Sequence, residues 1–238
     1  MDYFFVDPKD VHGRVALIRG EEFRHLSRVV RKKEGEHVML VDGADTSYEA
    51  VIRLVDRIHV ECEILGTHHR ANEPRINITL AVSLLRNPAR FDILVEKATE
   101  LGVRTIVPLL CERTIPKSEK HSRLEKIALS ALKQCGRSFL PRIHSLTSFE
   151  ALLEGALEYS LRLIPHEKTE QSQFIGSVLQ HQSNLKSVLI AIGPEGGFTD
   201  REVALSGEKG FIPISLGPRR LRTETAAISA VSWLVGGW

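Results

Sequence analysis

Two apolar, β-branched runs near the end of the chain, SVLIAI at 187–192 and FIPISL at 211–216, each stop on a glycine–proline step. No other feature constrains the fold as strongly. Runs of this length and composition are short strands buried on both faces. Gly193, Pro194, Gly196 and Gly197 punctuate the first exit, and Gly217 with Pro218 the second, before polar residues lead into helical patterns. Two glycine-bearing loops therefore leave the same edge of one sheet. In an open α/β sheet that edge receives ligands: glycine lets a ligand reach backbone N–H and C=O groups, and a helix N-terminus adds partial positive charge.

The same alternation runs upstream. INITLAVSL at 76–84 has the near-continuous apolar pattern of a buried parallel strand, FDILVEKATEL at 91–101 is a helix with Gly102 as its stop, and TIVPLL at 105–110 is the next strand. Residues 122–135 read as helix, 160–164 as strand and 174–182 as helix. Strands and helices alternating on this period specify an α/β domain with a mostly parallel sheet, here over 74–238. Its last helix, 223–238, is apolar on almost every side and has to be buried, against a second subunit or within its own chain.

Residues 1–70 have a different character. Segments 37–41, 48–55 and 58–64 alternate apolar and polar residues at strand period, with Asp42-Gly43 as a turn between the first two, which argues for a compact β-barrel. Ahead of them, 21–31 carries Phe23, Leu26, Val29 and Val30 at helical spacing among Arg24, His25, Arg28, Arg31, Lys32 and Lys33, with no acidic residue from 24 to 33. Such a run is either a solvated helix face or a patch for a polyanion. A polar stretch at 66–75, GTHHRANEPR, reads as the linker between the two domains.

Composition bounds the function. The net charge of +2 is too small for a global field, so a polyanion has to be met by a local patch. The three cysteines, Cys62, Cys111 and Cys135, are widely spaced and indicate reduced thiols, not a disulfide framework or a zinc site. His68 and His69 have no ligand partners at metal spacing. No apolar run reaches the length of a membrane span, and the start lacks a signal-peptide pattern, so the expected location is the cytoplasm.

GPEGGFT at 193–199 and LGPRRLRTETAA at 216–227 are joined by EKATELGV at 96–103, Gln134 with Arg137, and RHLSRVVRKKEGEHVMLVDG at 24–43. In this order, over nearly the full length, the chain resembles the SPOUT superfamily of S-adenosylmethionine-dependent RNA methyltransferases. Within it, the chain is similar to the family that methylates N3 of a uridine in 16S rRNA. The resemblance implies a C-terminal trefoil knot, although chains rarely thread loops, with a PUA-like RNA-binding β-barrel in front. It implies a homodimer joined through the knot and the last helix, acting on the small ribosomal subunit without a metal.

By the same resemblance the cofactor would be held by Leu163, Pro165 and His166 after one strand and by Ile192, Gly193, Pro194, Gly196 and Gly197 after the next. Leu216, Gly217, Leu221, Arg222, Thr223 and Thr225 would complete the site. Arg24, Arg28, Arg31 and Lys32, together with Arg86, Arg90, Arg113 and Arg137, would hold RNA. An imide N–H becomes nucleophilic by losing its proton, so a cation near the flanking carbonyls and a carboxylate within reach would serve the reaction. Arg222 is the candidate cation, and Glu195 and Glu224 are the candidate carboxylates. Each also has a structural reading: Glu195 at a helix N-terminus, Glu224 as a cap of the last helix, Arg222 paired with either. Two other classes stay open. A dinucleotide-binding enzyme would want G-x-G-x-x-G, which GPEGGF lacks. A non-catalytic RNA-binding module would leave the two glycine loops without a purpose.

Overall fold

The computed structural model describes residues 2–167, 169, 173–182 and 184–236. The chain forms two compact units: one runs to Glu73 and also takes in Leu129–Leu140, the other comprises Pro74–Ala128 and the chain from Pro141.

The first unit contains β1 (Tyr3–Phe5), β2 (Val11–His12), β3 (Val15–Arg19), α1 (Gly20–Arg24), β4 (His37–Val41), β5 (Thr46–Val55) and β6 (His59–His69). They pair in the order β1-β4-β5-β6-β3-β2, with β1 parallel to β4 and the remaining neighbours antiparallel. The Asp42 carboxylate shapes the β4–β5 turn by accepting from the N–H groups of Ala44 at 2.8 Å and Thr46 at 3.0 Å. Register shifts in β5 at Glu49/Ala50 and Ile52/Leu54 bend the sheet, which closes over a core of Phe4, Ile18, Leu26, Leu40, Ile52 and Val60.

The expected linker at 66–75 is corrected in its first half. β6 continues through His69, pairing Gly66–His69 with the start of β5. A polar segment joins a sheet when a neighbouring strand offers it a ladder, whatever its own apolar pattern. The second half is anchored as well. The Glu73 carboxylate accepts from Arg137 Nη2 at 2.6 Å, from Arg137 Nε at 3.1 Å, and from the N–H groups of Ser138 and Phe139 at 3.1 and 3.0 Å. Both side chains are buried, at 1% exposure for Glu73 and 2% for Arg137. Asn72 donates to the Gly136 carbonyl and Ala44 bridges Phe139, which is why Leu129–Leu140 belongs with this unit.

The helix expected at 21–31 is α-helical only through Arg24; His25–Val30 is π-helical. Bonds spanning five residues underwind the turn. Phe23 and Leu26 stay buried, but Val29 is 69% exposed and Val30 36%, so these two valines do not join the apolar face that their spacing predicts.

The second unit contains β7 (Asn77–Ser83), α2 (Pro88–Glu100), β8 (Thr105–Leu110), α3 (His121–Cys135, its end belonging to the first unit), β9 (Arg142–Ile143), β10 (Thr147–Ser148) and α4 (Phe149–Glu154). β11 (Leu161–Pro165), α5 (Ile175–Gln180), β12 (Ser187–Ile192), α6 (Asp200–Glu208), β13 (Ile212–Ile214) and α7 (Thr223–Gly236) follow. The strand order is β10-β8-β7-β12-β11-β13, with β9 also on β8, and every pairing is parallel. β13 is shorter than the expected 211–216 because its flanks bond elsewhere, the Phe211 N–H to the Ser206 carbonyl and the Ser215 N–H to the Gln173 carbonyl, both at 3.0 Å; Pro213 inside it lacks a donor, a loss tolerated at the edge of a sheet.

α7 is buried on one face only. Ala227, Ala230, Val231 and Leu234 are covered, whereas Ser232 is exposed and Trp233 is 42% exposed, edge-on to Phe174 at 5.1 Å. Burial on almost every side is thus not met within the chain; Gly237 and Trp238, the last residues of the expected helix, lie outside the described residues. No helix among the described residues is long and apolar enough to cross a membrane.

Candidate functional site

β11 lies between β12 and β13, all parallel, so the loops leaving their C-terminal ends meet. Together with the first turn of α7 they enclose a cavity of about 600 Å³. After β11 the His166 N–H donates to the Ile214 carbonyl at 3.1 Å, continuing the pairing with β13, and the Thr169 N–H donates to the His166 carbonyl at 3.1 Å.

After β12 the Gly197 N–H donates to the Pro194 carbonyl at 2.8 Å, closing a tight turn. α6 then starts on a capping box: Glu202 Oε2 accepts from the Thr199 N–H at 2.8 Å, and Thr199 Oγ1 accepts from the Glu202 N–H at 3.2 Å. Glu202 Oε1 also accepts from the Glu112 N–H at 2.8 Å, which ties the loop after β8 to the same helix start.

After β13, Gly217 takes φ of 106°, a conformation side-chain-bearing residues rarely adopt, with its N–H on Ser215 Oγ at 3.2 Å. A Cβ added at Gly197 or Gly217 would meet nothing within 4 Å, so bare backbone lines the cavity there. Gly193 has a different reason to be glycine. A Cβ on it would lie 3.0 Å from the Phe198 ring and 3.1 Å from the Phe198 nitrogen, a packing constraint.

Of the cofactor contacts expected from sequence, Pro165, His166, Ile192, Gly193, Pro194, Gly197, Leu216, Gly217, Leu221, Arg222 and Thr223 stand in the cavity wall, as does Glu195. Leu163, Gly196 and Thr225 do not. Leu163 lies inside β11 with its side chain wholly buried, short of the strand end where the cavity begins. Gly196 turns its carbonyl to Arg113 Nη1 at 2.7 Å. Thr225 is exposed on α7, two residues beyond Thr223 and on another face.

The wall also includes Arg219 and Arg220 from the loop after β13, Arg90, expected as an RNA contact, and Glu167, Thr169 and Ser215, which are not among the expected contacts. The residues after β11 had a signal in being polar and directly following a buried run. Arg90 had none as a neighbour of Glu224, because α2 and α7 meet only in the fold; its Nε lies 3.7 Å from Glu224 Oε1. Four arginines (Arg90, Arg219, Arg220 and Arg222) face two carboxylates (Glu167 and Glu195) around the wall, leaving it net positive and suited to an anionic partner. Glu195 is oriented by the Arg86 N–H, which donates to its Oε1 at 3.0 Å. Thr169 Oγ1 is buried without a hydrogen-bond partner among the described residues.

The expected RNA contacts divide. Arg24, Arg28, Arg31, Arg86 and Arg113 are exposed. Lys32 is largely engaged, with Nζ 2.9 Å from Asp2 and 3.6 Å from Glu36; its hydrogen bond holds the Asp2 carboxyl below the usual range, and Asp2 raises the lysine in return. Arg137 is corrected: locked on Glu73 in the interior of the first unit, it presents no surface to RNA.

The chain matches the family model of an RNA methyltransferase domain over residues 72–235 and that of an RNA methyltransferase PUA domain over residues 18–65. It is 32% identical to Ribosomal RNA small subunit methyltransferase E of Synechocystis sp., covering 95% of this chain and 75% of that one. It is 31% identical to the protein of the same name from Aquifex aeolicus, covering 94% and 95%. Among solved structures, Ribosomal RNA small subunit methyltransferase E from Neisseria gonorrhoeae, bound to S-adenosyl methionine, superposes with a TM-score of 0.87 at 30% identity, covering 100% of this chain and 98% of that one. With its parallel sheet, its glycine-lined cavity and these matches over most of its length, the chain belongs to the ribosomal RNA small subunit methyltransferase E family of RNA methyltransferases.

Proposed function

We propose that this chain uses S-adenosylmethionine to methylate N3 of a uridine in the 16S rRNA of the small ribosomal subunit. The observation that carries the reading is the cavity of about 600 Å³ where three parallel strands end, lined by backbone at Gly197 and Gly217. Its size suits a nucleoside-sized ligand. The exposed backbone of two glycines offers the close approach such a ligand needs, and the Neisseria relative binds S-adenosyl methionine. Pro165, His166, Ile192, Gly193, Pro194, Leu216, Leu221 and Thr223 would hold it with those glycines. When bound, S-adenosylmethionine supplies an electrophilic methyl group on a sulfonium. A C-terminal trefoil knot formed by these same loops is part of the reading.

The chain's own residues have to prepare the acceptor. Uracil N3 carries a proton between two carbonyls, and its anion spreads onto both oxygens. Arg222 in the cavity wall is the cation we assign to those oxygens as the charge develops. Glu195, oriented by the Arg86 N–H, and Glu224, beside Arg90, are the carboxylates we assign to receive the proton. Residues 1–70 serve as the RNA-binding domain and 74–238 as the methyltransferase domain. Arg24, Arg28 and Arg31 take phosphates on the first, with Lys32 beside them largely engaged by Asp2 and Glu36, and Arg86, Arg90 and Arg113 take them on the second. The uncovered side of α7 around Trp233 supports a homodimer, which we place in the cytoplasm.

The test is direct. Small subunits or naked 16S rRNA lacking the modification are incubated with the protein and methyl-labelled S-adenosylmethionine, then digested to nucleosides for mass spectrometry. The expected product is labelled 3-methyluridine. Label on another base, or none, refutes the assignment.

A further inference from the structure

We propose that Val29 is a nucleobase-contacting residue, and that the π-helical turn His25–Val30 displays it between arginines as a seat for one unstacked base of a single-stranded RNA segment. The inference rests on the reading of the substrate as RNA. In an α-helix, spacing would carry the two valines toward the buried line of Phe23 and Leu26. The π turn instead leaves Val29 69% exposed and Val30 36% exposed.

That display is fixed. The Ser27 hydroxyl donates to the Phe23 carbonyl at 2.7 Å, and the Lys32 N–H to the Leu26 carbonyl at 3.1 Å. Arg31 ends the turn at φ of 60°, in the left-handed region that an arginine occupies only at a cost. A single exposed valine needs no explanation. A valine turned outward by an irregular helix and a strained arginine is a different matter, because such strain persists where the surface is used.

The surroundings name the partner. Arg24, Arg28 and Arg31 are exposed and, among the described residues, in no ion pair, whereas Asp2 and Glu36 neutralise Lys32. The charges left free on either side of Val29 in sequence, Arg28 and Arg31, are guanidinium planes, which take phosphate oxygens and stack on bases. Duplex RNA offers phosphates and 2′-hydroxyls but hides its base faces. An unpaired nucleotide brings a phosphate for an arginine and an apolar face for the valine at once. Apolar and cationic character interleaved on this scale match only the second.

The test is an anisotropy titration of the full chain with a labelled single-stranded RNA and with a duplex of equal length, across a salt series. Val29→Ser should leave the thermal midpoint unchanged and weaken single-strand binding by roughly 3- to 10-fold, a fraction of an aromatic stacking contact. Its salt slope and its duplex affinity should stay as in the parent. Arg28→Ala should lower the salt slope by about one unit, and Val29→Tyr should restore or exceed the parent's affinity for the single strand. Unchanged single-strand affinity in Val29→Ser, or equal losses on single strand and duplex, overturns the inference. A parent protein that binds neither RNA overturns the substrate reading instead.

Discussion

Replacing Glu73 with alanine should be among the most damaging single changes in this chain, although the residue lies in a stretch that reads as a polar linker. Its carboxylate accepts from Arg137 Nε and Nη2 and from the N–H groups of Ser138 and Phe139. With Arg137 only 2% exposed, removal takes a charge partner from a guanidinium held in the interior and the acceptor from two backbone N–H groups. Breaking a buried pair from one side costs about 3–5 kcal/mol. At about 2–4 °C per kcal/mol for a chain of this size, the midpoint should fall by roughly 6–20 °C. Calorimetry measures the drop, and amide exchange at Ser138 and Phe139 locates it. Glu73→Leu combined with Arg137→Met should recover most of the loss, because a matched apolar pair leaves no charge to satisfy. A loss below about 1 kcal/mol in the alanine variant, or a double variant no better than the single one, would refute the argument that the buried guanidinium sets the cost.

Four further outcomes are expected. Arg222→Lys should lower single-turnover methyl transfer by about 10²–10³ with little change in S-adenosylmethionine or RNA affinity and partial rescue at high pH; a loss explained by cofactor affinity alone would count against the assigned role. Gly217→Val should abolish cofactor binding by calorimetric titration, since φ of 106° excludes valine, whereas Gly193→Ala should show first as a lower midpoint because its Cβ meets Phe198 at 3.0 Å. Arg31→Gly should raise stability by about 1 kcal/mol by relieving the left-handed turn, and weaken RNA binding. Burial pushes the Cys62 and Cys111 thiols up to about 12, so the reactive thiolate is scarce below that pH. A disulfide reagent at pH near 8 should therefore reach at most the partly exposed Cys135 in the folded protein, and all three cysteines once it is unfolded.

The parts of the fold legible in sequence are those whose signal is local. β4, β8 and β12 begin and end where their apolar runs do, and the cavity sits where the glycine loops leave the sheet. What escaped depends on distant partners. Gly66–His69 is strand only because β5 is there to pair with it. Arg137 resembles a surface cation until Glu73, 64 residues away, is placed beside it. The π turn is invisible to a period that assumes regular winding, and that period assigns Val29 and Val30 to the buried face they do not occupy. Leu163 and Thr225 stand outside the cavity wall although their sequence neighbours line it, because one lies inside the strand and the other around the helix.

The sheet order carries a consequence for synthesis. β12 lies between β7 and β11, both of which are made before it, and its first residue pairs with Asn77 across an interval of 110 residues, the difference between 187 and 77. At about 5–20 residues per second the ribosome takes roughly 5–20 s to cover that distance. Throughout it β7 holds an apolar ladder edge without its β12 neighbour, and once Leu161–Pro165 has been made β11 holds a second. Emergence of SVLIAI closes both edges at once. A chain interrupted after Pro165 but before residue 187 therefore keeps two unpaired, strongly apolar strand edges, and late truncation should yield aggregate and not a smaller folded enzyme.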